Sequence, residues 1–481
     1  MRAPRREVTR TQRLAFRVLT LTVLALGLVP AGAVLARRNP VRWITRSPQD
    51  IPAIAAQAGH ASSCEGCHTM HGEGVTPQPG LLLAPNDNAL CASCHTAAWT
   101  DRSYAGLPLF TGSAHGASRS MLWPGPDPPA RPATDVGMCQ NCHDPHGYSD
   151  ATGVIPRLMV QREEKACLAC HDGAPAVDNV LTDLNKPYRH PVTDFTGRHA
   201  GPGESTPAAF ARTPVNLRHS ECEDCHNPHV ARADGLGGPV GNEASRSTLG
   251  VSRVAVLNGA AGTIPTYTFL TASDTTTGPV AEYQLCFKCH SSWTTAPVGQ
   301  TDFARVLNPA NPSYHPVEAT GKNPNIAAAS FVNGWTATSI TRCASCHGSD
   351  FGLTKGPHGS TYQYLLKAPY SPSPASRTTA SNELCFQCHS YNTYANPSAT
   401  NAQQQASRFN RPAFSMGHVD HVVGERVPCA SCHVTHGSST LPFLLVTGRN
   451  PGLNTYTRTT NGGTCGPTCH GTESYTVNYA R

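Results

Sequence analysis

The chain has little charge and little apolar periodicity. Only 14% of its 481 residues are Asp, Glu, Lys or Arg, and no long amphipathic pattern marks a helix bundle or a regular sheet. A chain of this length ordinarily builds two or three hydrophobic cores, so the missing pattern says that something other than side chains fills the interior. Turn formers take the place of the pattern, with 42 glycines and 41 prolines. Long apolar runs are absent beyond Val18–Val29. That run follows Arg2, Arg5, Arg6, Arg10 and Arg13 and precedes the small-residue sites Ala31-Gly32-Ala33 and Val34-Leu35-Ala36, which predicts a signal peptide over 1–36. The run is short for a membrane span and is broken by Pro30 and Gly32. A retained anchor would require it to stay in place, and it is the sole membrane contact expected. No cysteine lies near the cleavage site, so a lipoprotein anchor is not expected.

What the chain has is cysteine, 20 of them, all in one kind of motif. C-x-x-C-H occurs nine times: Cys64 and Cys67 before His68, Cys91 and Cys94 before His95, Cys139 and Cys142 before His143, Cys167 and Cys170 before His171, Cys222 and Cys225 before His226, Cys286 and Cys289 before His290, Cys343 and Cys346 before His347, Cys385 and Cys388 before His389, and Cys429 and Cys432 before His433. A stretched tenth, CGPTCH, holds Cys465, Cys469 and His470. On one helical turn residues i, i+3 and i+4 share a face. Two thiols can then form thioethers to one haem while the adjacent imidazole reaches its iron, the pattern of c-type haem attachment. Structural zinc uses C-x-x-C pairs too, but it does not require a histidine after every second cysteine, and a disulfide framework requires none. Ten covalent haems c are therefore expected. The tenth site departs most, because an extra residue must bulge out of the turn and Pro467 opposes a regular helix.

About one site per 48 residues leaves little room for ordinary cores. The fold class expected is mostly irregular, with short α-helices at the motifs, haem faces as the core, few strands, and no stable fold without haem. Removing residues 1–36 takes away six arginines and one glutamate, which lowers the net +6 to about +1. Each bis-histidine haem with ionised propionates adds about one negative charge when ferric and about two when ferrous, so the loaded protein is acidic and nucleic-acid binding is excluded.

The motifs repeat as doublets. Within each pair the first cysteines are 27, 28, 64, 42 and 36 residues apart. The plan is a motif, a histidine three residues later, an apolar triplet, then a second motif. In the third doublet a long insertion, 231–281, carries VSRVAVLNG and TIPTYTFLT, which predict a small β-hairpin near 250–272. The division expected is a linker at 37–59, doublets one and two at 60–188, doublet three at 189–312, and doublets four and five at 313–481.

Thirteen of the 23 histidines lie outside the motifs. Ten haems with bis-histidine ligation need ten of them. Internal candidates are His71, His146, His229, His358 and His436, of which His358 is displaced by an insertion after His347. Upstream candidates are His60, His115, one of His190, His199 and His219, His315, and one of His418 and His421. His190 is preferred because YRHPV repeats the YHPV at His315, and His199 is the expected bystander. A histidine three residues after the proximal ligand lies on the same side of the haem, so it is expected to ligate a neighbouring haem and to draw two porphyrins together.

Over residues 60–470 the chain resembles multihaem c-type cytochromes with doubled CxxCH motifs, here a decahaem one. That group is similar in motif arrangement to periplasmic and extracellular respiratory cytochromes, some of which polymerise into haem filaments. The resemblance implies bis-histidine haems in parallel and T-shaped contacts passing electrons end to end, export to the periplasm or cell exterior, and redox proteins or an extracellular or outer-membrane acceptor as partners. It admits a soluble carrier, a component of an outer-membrane conduit, or a self-assembling filament subunit. The last motif and the displaced His358 depart from the common pattern. The competing class is a reductase of nitrite, hydroxylamine or sulfur oxyanions, which needs an iron with one open position. All ten motifs end in histidine and distal candidates are in surplus, so electron transfer without an enzymatic site is the expectation.

Overall fold

The computed structural model describes residues 64–69, 81–85, 87–95, 110–117, 139–147, 149–150, 153–193, 220–235, 238–275, 280–294, 299–352, 354–374, 379–411 and 416–477. The signal peptide, the N-terminal linker, His60, His71, His199 and His219 lie outside these residues.

Short helices and small antiparallel pairs make up the architecture, as expected. Nine motifs begin in a helical turn, from the 3-10 turn Cys64–Gly66 to the α-helix Glu163–Leu168. In each, the histidine amide donates to the carbonyl of the first cysteine, at 2.9 or 3.0 Å. That i to i+4 bond closes the turn and turns both thiols and the imidazole to one side. The tenth motif differs. Cys465 lies on strand Gly462–Pro467, the middle of a three-stranded antiparallel sheet with Leu453–Thr459 and Glu473–Thr476. Pro467 lacks the amide a helical turn would use, and the two cysteines are four residues apart rather than three, so the strand carries one cysteine and the following turn carries the other with His470.

The expected hairpin forms between Arg253–Leu257 and Thr266–Leu270 in continuous register. It covers the largest apolar cluster, where buried Val254, Phe287, Trp293, Ala304, Leu307 and Val317 meet. The other clusters are smaller: Ile155 with Val160, and Phe386, Ala395 and Val422. Among the described residues no helix is long and apolar enough to cross a membrane.

The doublets are knitted by pairs of two-residue strands. Tyr188–Arg189, just before His190, pairs with Gly359–Ser360, just after His358. Ser313–Tyr314, before His315, pairs with Gly437–Ser438, after His436. An equivalent link joins the amide of Ala114 to the carbonyl of Ala231, 2.8 Å. In each case the segment holding an upstream histidine clasps the segment holding the internal histidine of the next doublet. Glycine is needed where backbones pass closest. A Cβ on Gly359 would lie 1.9 Å from the Asp183 carbonyl oxygen, and one on Gly437 1.8 Å from that of Val306. Gly437→Ala is expected to destabilise the holoprotein by about 1–3 kcal/mol, as overpacking does, and thermal unfolding followed at the haem absorbance would register it. An unchanged midpoint would mean that the clasp is slack.

Candidate haem-binding site

All 20 cysteines are free of disulfides. A single cavity of about 4560 Å³ runs the length of the described chain, and its walls include every motif histidine from His95 to His470. Its imidazoles face one another in twos. His68 lies opposite His146 with ring centroids 6.1 Å apart, His143 opposite His229 at 6.0 Å, His226 opposite His358 at 6.0 Å, and His347 opposite His436 at 6.1 Å. Each of these internal histidines reaches back to the first motif of the preceding doublet.

Upstream histidines serve the second motif of their own doublet. His115 lies 6.0 Å from His171, and His190 lies 6.3 Å from His290. In the fifth doublet the upstream segment supplies two rings: His418 opposite His433 at 6.4 Å and His421 opposite His470 at 6.3 Å. Sequence reasoning expected one of these two, and the structure uses both positions. His389 is flanked by two aromatic rings. Phe331 stacks on it at 5.5 Å and Tyr394 meets it edge-on at 5.7 Å. Burial, then His315 and His433, lower its pKa to about 4. The ring to oppose His95 is not among the described residues.

A first-row metal bound at about 2 Å to each of two opposed ring nitrogens separates the ring centroids by roughly 6 Å. The observed pairs have that separation, with space between them for a planar macrocycle and thiols alongside, so the residues fit haem. Zinc would need three or four ligands to converge, and among the described residues no group of three His, Cys, Asp or Glu does so. Burial also holds the imidazoles neutral, the form that ligates. It is the leading cause that pushes His418 and His436 down to about 3 and His229 and His358 down to about 4.

Backbone carbonyls that sequence reasoning did not identify orient the rings. Nδ1–H of His143 donates to Arg157 O at 3.0 Å, that of His347 to Tyr364 O at 2.8 Å, and that of His433 to Phe443 O at 3.0 Å. His226 uses Ser247 O at 2.9 Å. Arg157, Tyr364 and Phe443 have φ near +60°, as do Leu158, Leu365 and Leu444 after them, so two consecutive left-handed residues turn that carbonyl onto the imidazole. This is the purpose of the apolar triplets. The upstream rings find theirs in the residue just before another distal candidate, His229, His358, His436 or His418: His115 on Pro228 O at 3.0 Å, His190 on Pro357 O at 2.6 Å, His315 on Thr435 O, and His421 on Gly417 O at 2.7 Å. Such a bond fixes the tautomer with Nε2 free for iron and raises the basicity of the ligand.

The thiols mark how the motifs abut. First cysteines of adjoining doublets act on one another's thiols: Cys91 pushes Cys139 up, Cys167 does so to Cys222, Cys343 to Cys286, and Cys429 to Cys385. Within doublets the second cysteine of the first motif lies nearest the second motif. Cys67 is acted on by Cys91 and Cys94, Cys142 by Cys167 and Cys170, and Cys432 by Cys465 and Cys469.

No solved structure matches the chain. The chain is similar to the C-type polyheme cytochrome OmcB of two strains of Geobacter sulfurreducens, DL-1/KN400 and ATCC 51573/DSM 12127/PCA, at 20% identity over 82% of this chain and 53% of each relative. It thus spans about half the length of the curated relatives it matches. The doubled CXXCH motif family matches residues 57–99, 132–176 and 337–393. Together with the paired imidazoles beside the cysteine turns, these doubled motifs indicate a multihaem c-type cytochrome that binds haem c covalently.

Proposed function

We propose that the chain carries ten bis-histidine haems c and passes electrons along them, as a conduit of periplasmic or extracellular respiration with no substrate site. The observation that carries this is the pairing of eight motif histidines with a second imidazole about 6 Å away. His315 is assigned to the haem of His389, since it leads the charges acting on that ring. His60 is assigned to the haem of His95, because upstream histidines serve the second motif of their own doublet. When bound, the haems supply the redox chemistry. The polypeptide supplies two neutral imidazoles per iron, fixes their tautomers through main-chain carbonyls, and brings the sites close together.

A reductase would need one iron with an open face, and the eight opposed pairs speak against it at those sites. The relatives' name, C-type polyheme cytochrome, agrees with electron transfer. His418 and His421 lie opposite motif histidines of their own chain, which supports a chain that completes these two sites by itself. Electron paramagnetic resonance, with the mass of the holoprotein, tests the reading. Ten haems with only low-spin ferric signals are expected, and a stoichiometric high-spin signal in the native protein would overturn it.

A further inference from the structure

The insertion of the third doublet, 231–281, holds neither cysteine nor histidine, so it supplies no thioether and no iron ligand. Two of its asparagines nevertheless reach the segment that carries His315. Asn242 Nδ2 donates to Val317 O at 2.9 Å. Asn258, directly after strand Arg253–Leu257, donates through Nδ2 to Glu318 Oε2 at 2.7 Å. That carboxyl lies among haem positions. Pro316 and Val317 beside it line the cavity, and Pro316 O accepts from the amide of Thr341, just ahead of the seventh motif, at 2.7 Å.

Glu318 pairs with no cation among the described residues, and Lys322, the next cation along the chain, is exposed. Its second oxygen, Oε1, is buried without a hydrogen-bond partner, and so is Asn258 Oδ1. Two bonded side chains thus each keep an orphaned acceptor, and what they lack is a donor, which an ionised carboxylate does not have. A proton on Oε1 supplies it, because a carboxylic acid and a carboxamide complement each other in both bonds, Nδ2–H to Oε2 and Oε1–H to Oδ1. The titratable groups that answer to Glu318 are Tyr314 on its own segment and Tyr283 on helix Glu282–Cys286. Burial first, then Glu318, pushes both up, so they stay neutral. Burial also pushes Glu318 up to about 7, against the opposing bond from Asn258.

We infer that the insertion and the segment after His315 build a proton-binding site at Glu318, which takes up a proton when the haems beside it are reduced and releases it when they are oxidised. This rests on the bis-histidine electron-transfer function proposed above. One ferric iron gains an electron from a redox partner, and the Glu318 carboxylate gains a proton from water to become the acid. Oxidation reverses both. The coupling is electrostatic: the electron adds a negative charge near a carboxyl that no cation neutralises, which favours the protonated form.

Infrared difference spectra of the holoprotein, reduced minus oxidised, test the site just above the carboxyl's own value of about 7. Reduction is expected to bring up the C=O band of a protonated carboxylic acid, one that shifts in heavy water. Glu318→Gln imitates the protonated pair but cannot ionise, so it should lose the band and take up less acid on full reduction, by as much as one proton per chain. A proton bound tenfold more tightly in the reduced protein corresponds to about 59 mV for one electron. The midpoint of the affected haem should fall by about that much more in the wild type than in Glu318→Gln between about pH 6 and pH 9. Asn258→Ala removes the bond that favours the ionised form, and it should keep the band while moving its pH range upward. A band that survives Glu318→Gln, or a wild type without one across that range, would overturn the site. A high-spin ferric signal in the unmodified protein would instead sink the bis-histidine reading, so the two failures are distinct.

Discussion

Secreted without haem attachment, the polypeptide is expected to remain unfolded: far-ultraviolet circular dichroism of a disordered chain, no cooperative urea transition, and rapid proteolysis across residues 60–470. The reason lies in what the protein lacks. Among the described residues its largest apolar cluster has six buried members, in a chain of 481 residues. Its helices at the motifs have three to six residues, whereas an isolated helix shorter than about 12–15 residues is marginal in water. Its clasps are pairs of two-residue strands, below what stands alone. The cavity of about 4560 Å³ passes through the middle of all this. Bound haem would fill that space, and each iron would tie two distant segments together, as at His226 and His358, which face each other across 132 residues of sequence. A haem-free chain that unfolded cooperatively would mean that the small clusters suffice, and the haem-cored fold would then be wrong.

Much of the site is legible in the sequence because its chemistry is covalent and local. Cysteine and histidine must share one turn, so C-x-x-C-H can be read without any knowledge of packing, and the hairpin is legible because alternating β-branched and aromatic residues around VSRVAVLNG and TIPTYTFLT need no distant partner. Distal ligation is different. It depends on which segments lie side by side, and spacing offers only candidates. That a histidine three residues on must leave its own haem follows from local geometry, yet nothing in CHDPH says that His146 goes to His68. The carbonyl acceptors were hidden for another reason. An apolar triplet looks like core, and its second use, a pair of left-handed residues aiming a carbonyl at an imidazole, appears only in φ. The strand at CGPTCH was signalled only by its extra residue and Pro467, as a broken helix without a stated alternative.

Replacing His418 or His421 is expected to open one iron each, and replacing both to open two. Elsewhere the two distal ligands of a doublet come from different segments, an upstream one and the internal one of the next doublet. In the fifth doublet residues 416–425 fold both functions into one turn, with a π-helical stretch at Asp420–Gly424. The hydrogen bond that identifies the arrangement survives the compression. His421 Nδ1–H donates to Gly417 O, the carbonyl just before His418, as His190 donates to Pro357 O just before His358. His418 is wedged between Tyr394 and Phe409, whose rings lie 5.0 and 5.1 Å away edge-on. The cavity left by His418→Ala is therefore enclosed and can admit a small gas. Carbon monoxide titration of the reduced holoprotein should give no binding for the wild type, one molecule per chain for either alanine variant, and two for the double variant. The ferric spectra should show high-spin haem in the same ratio. If either single variant stays fully low-spin, that histidine is no ligand, and the double service of this segment fails with it.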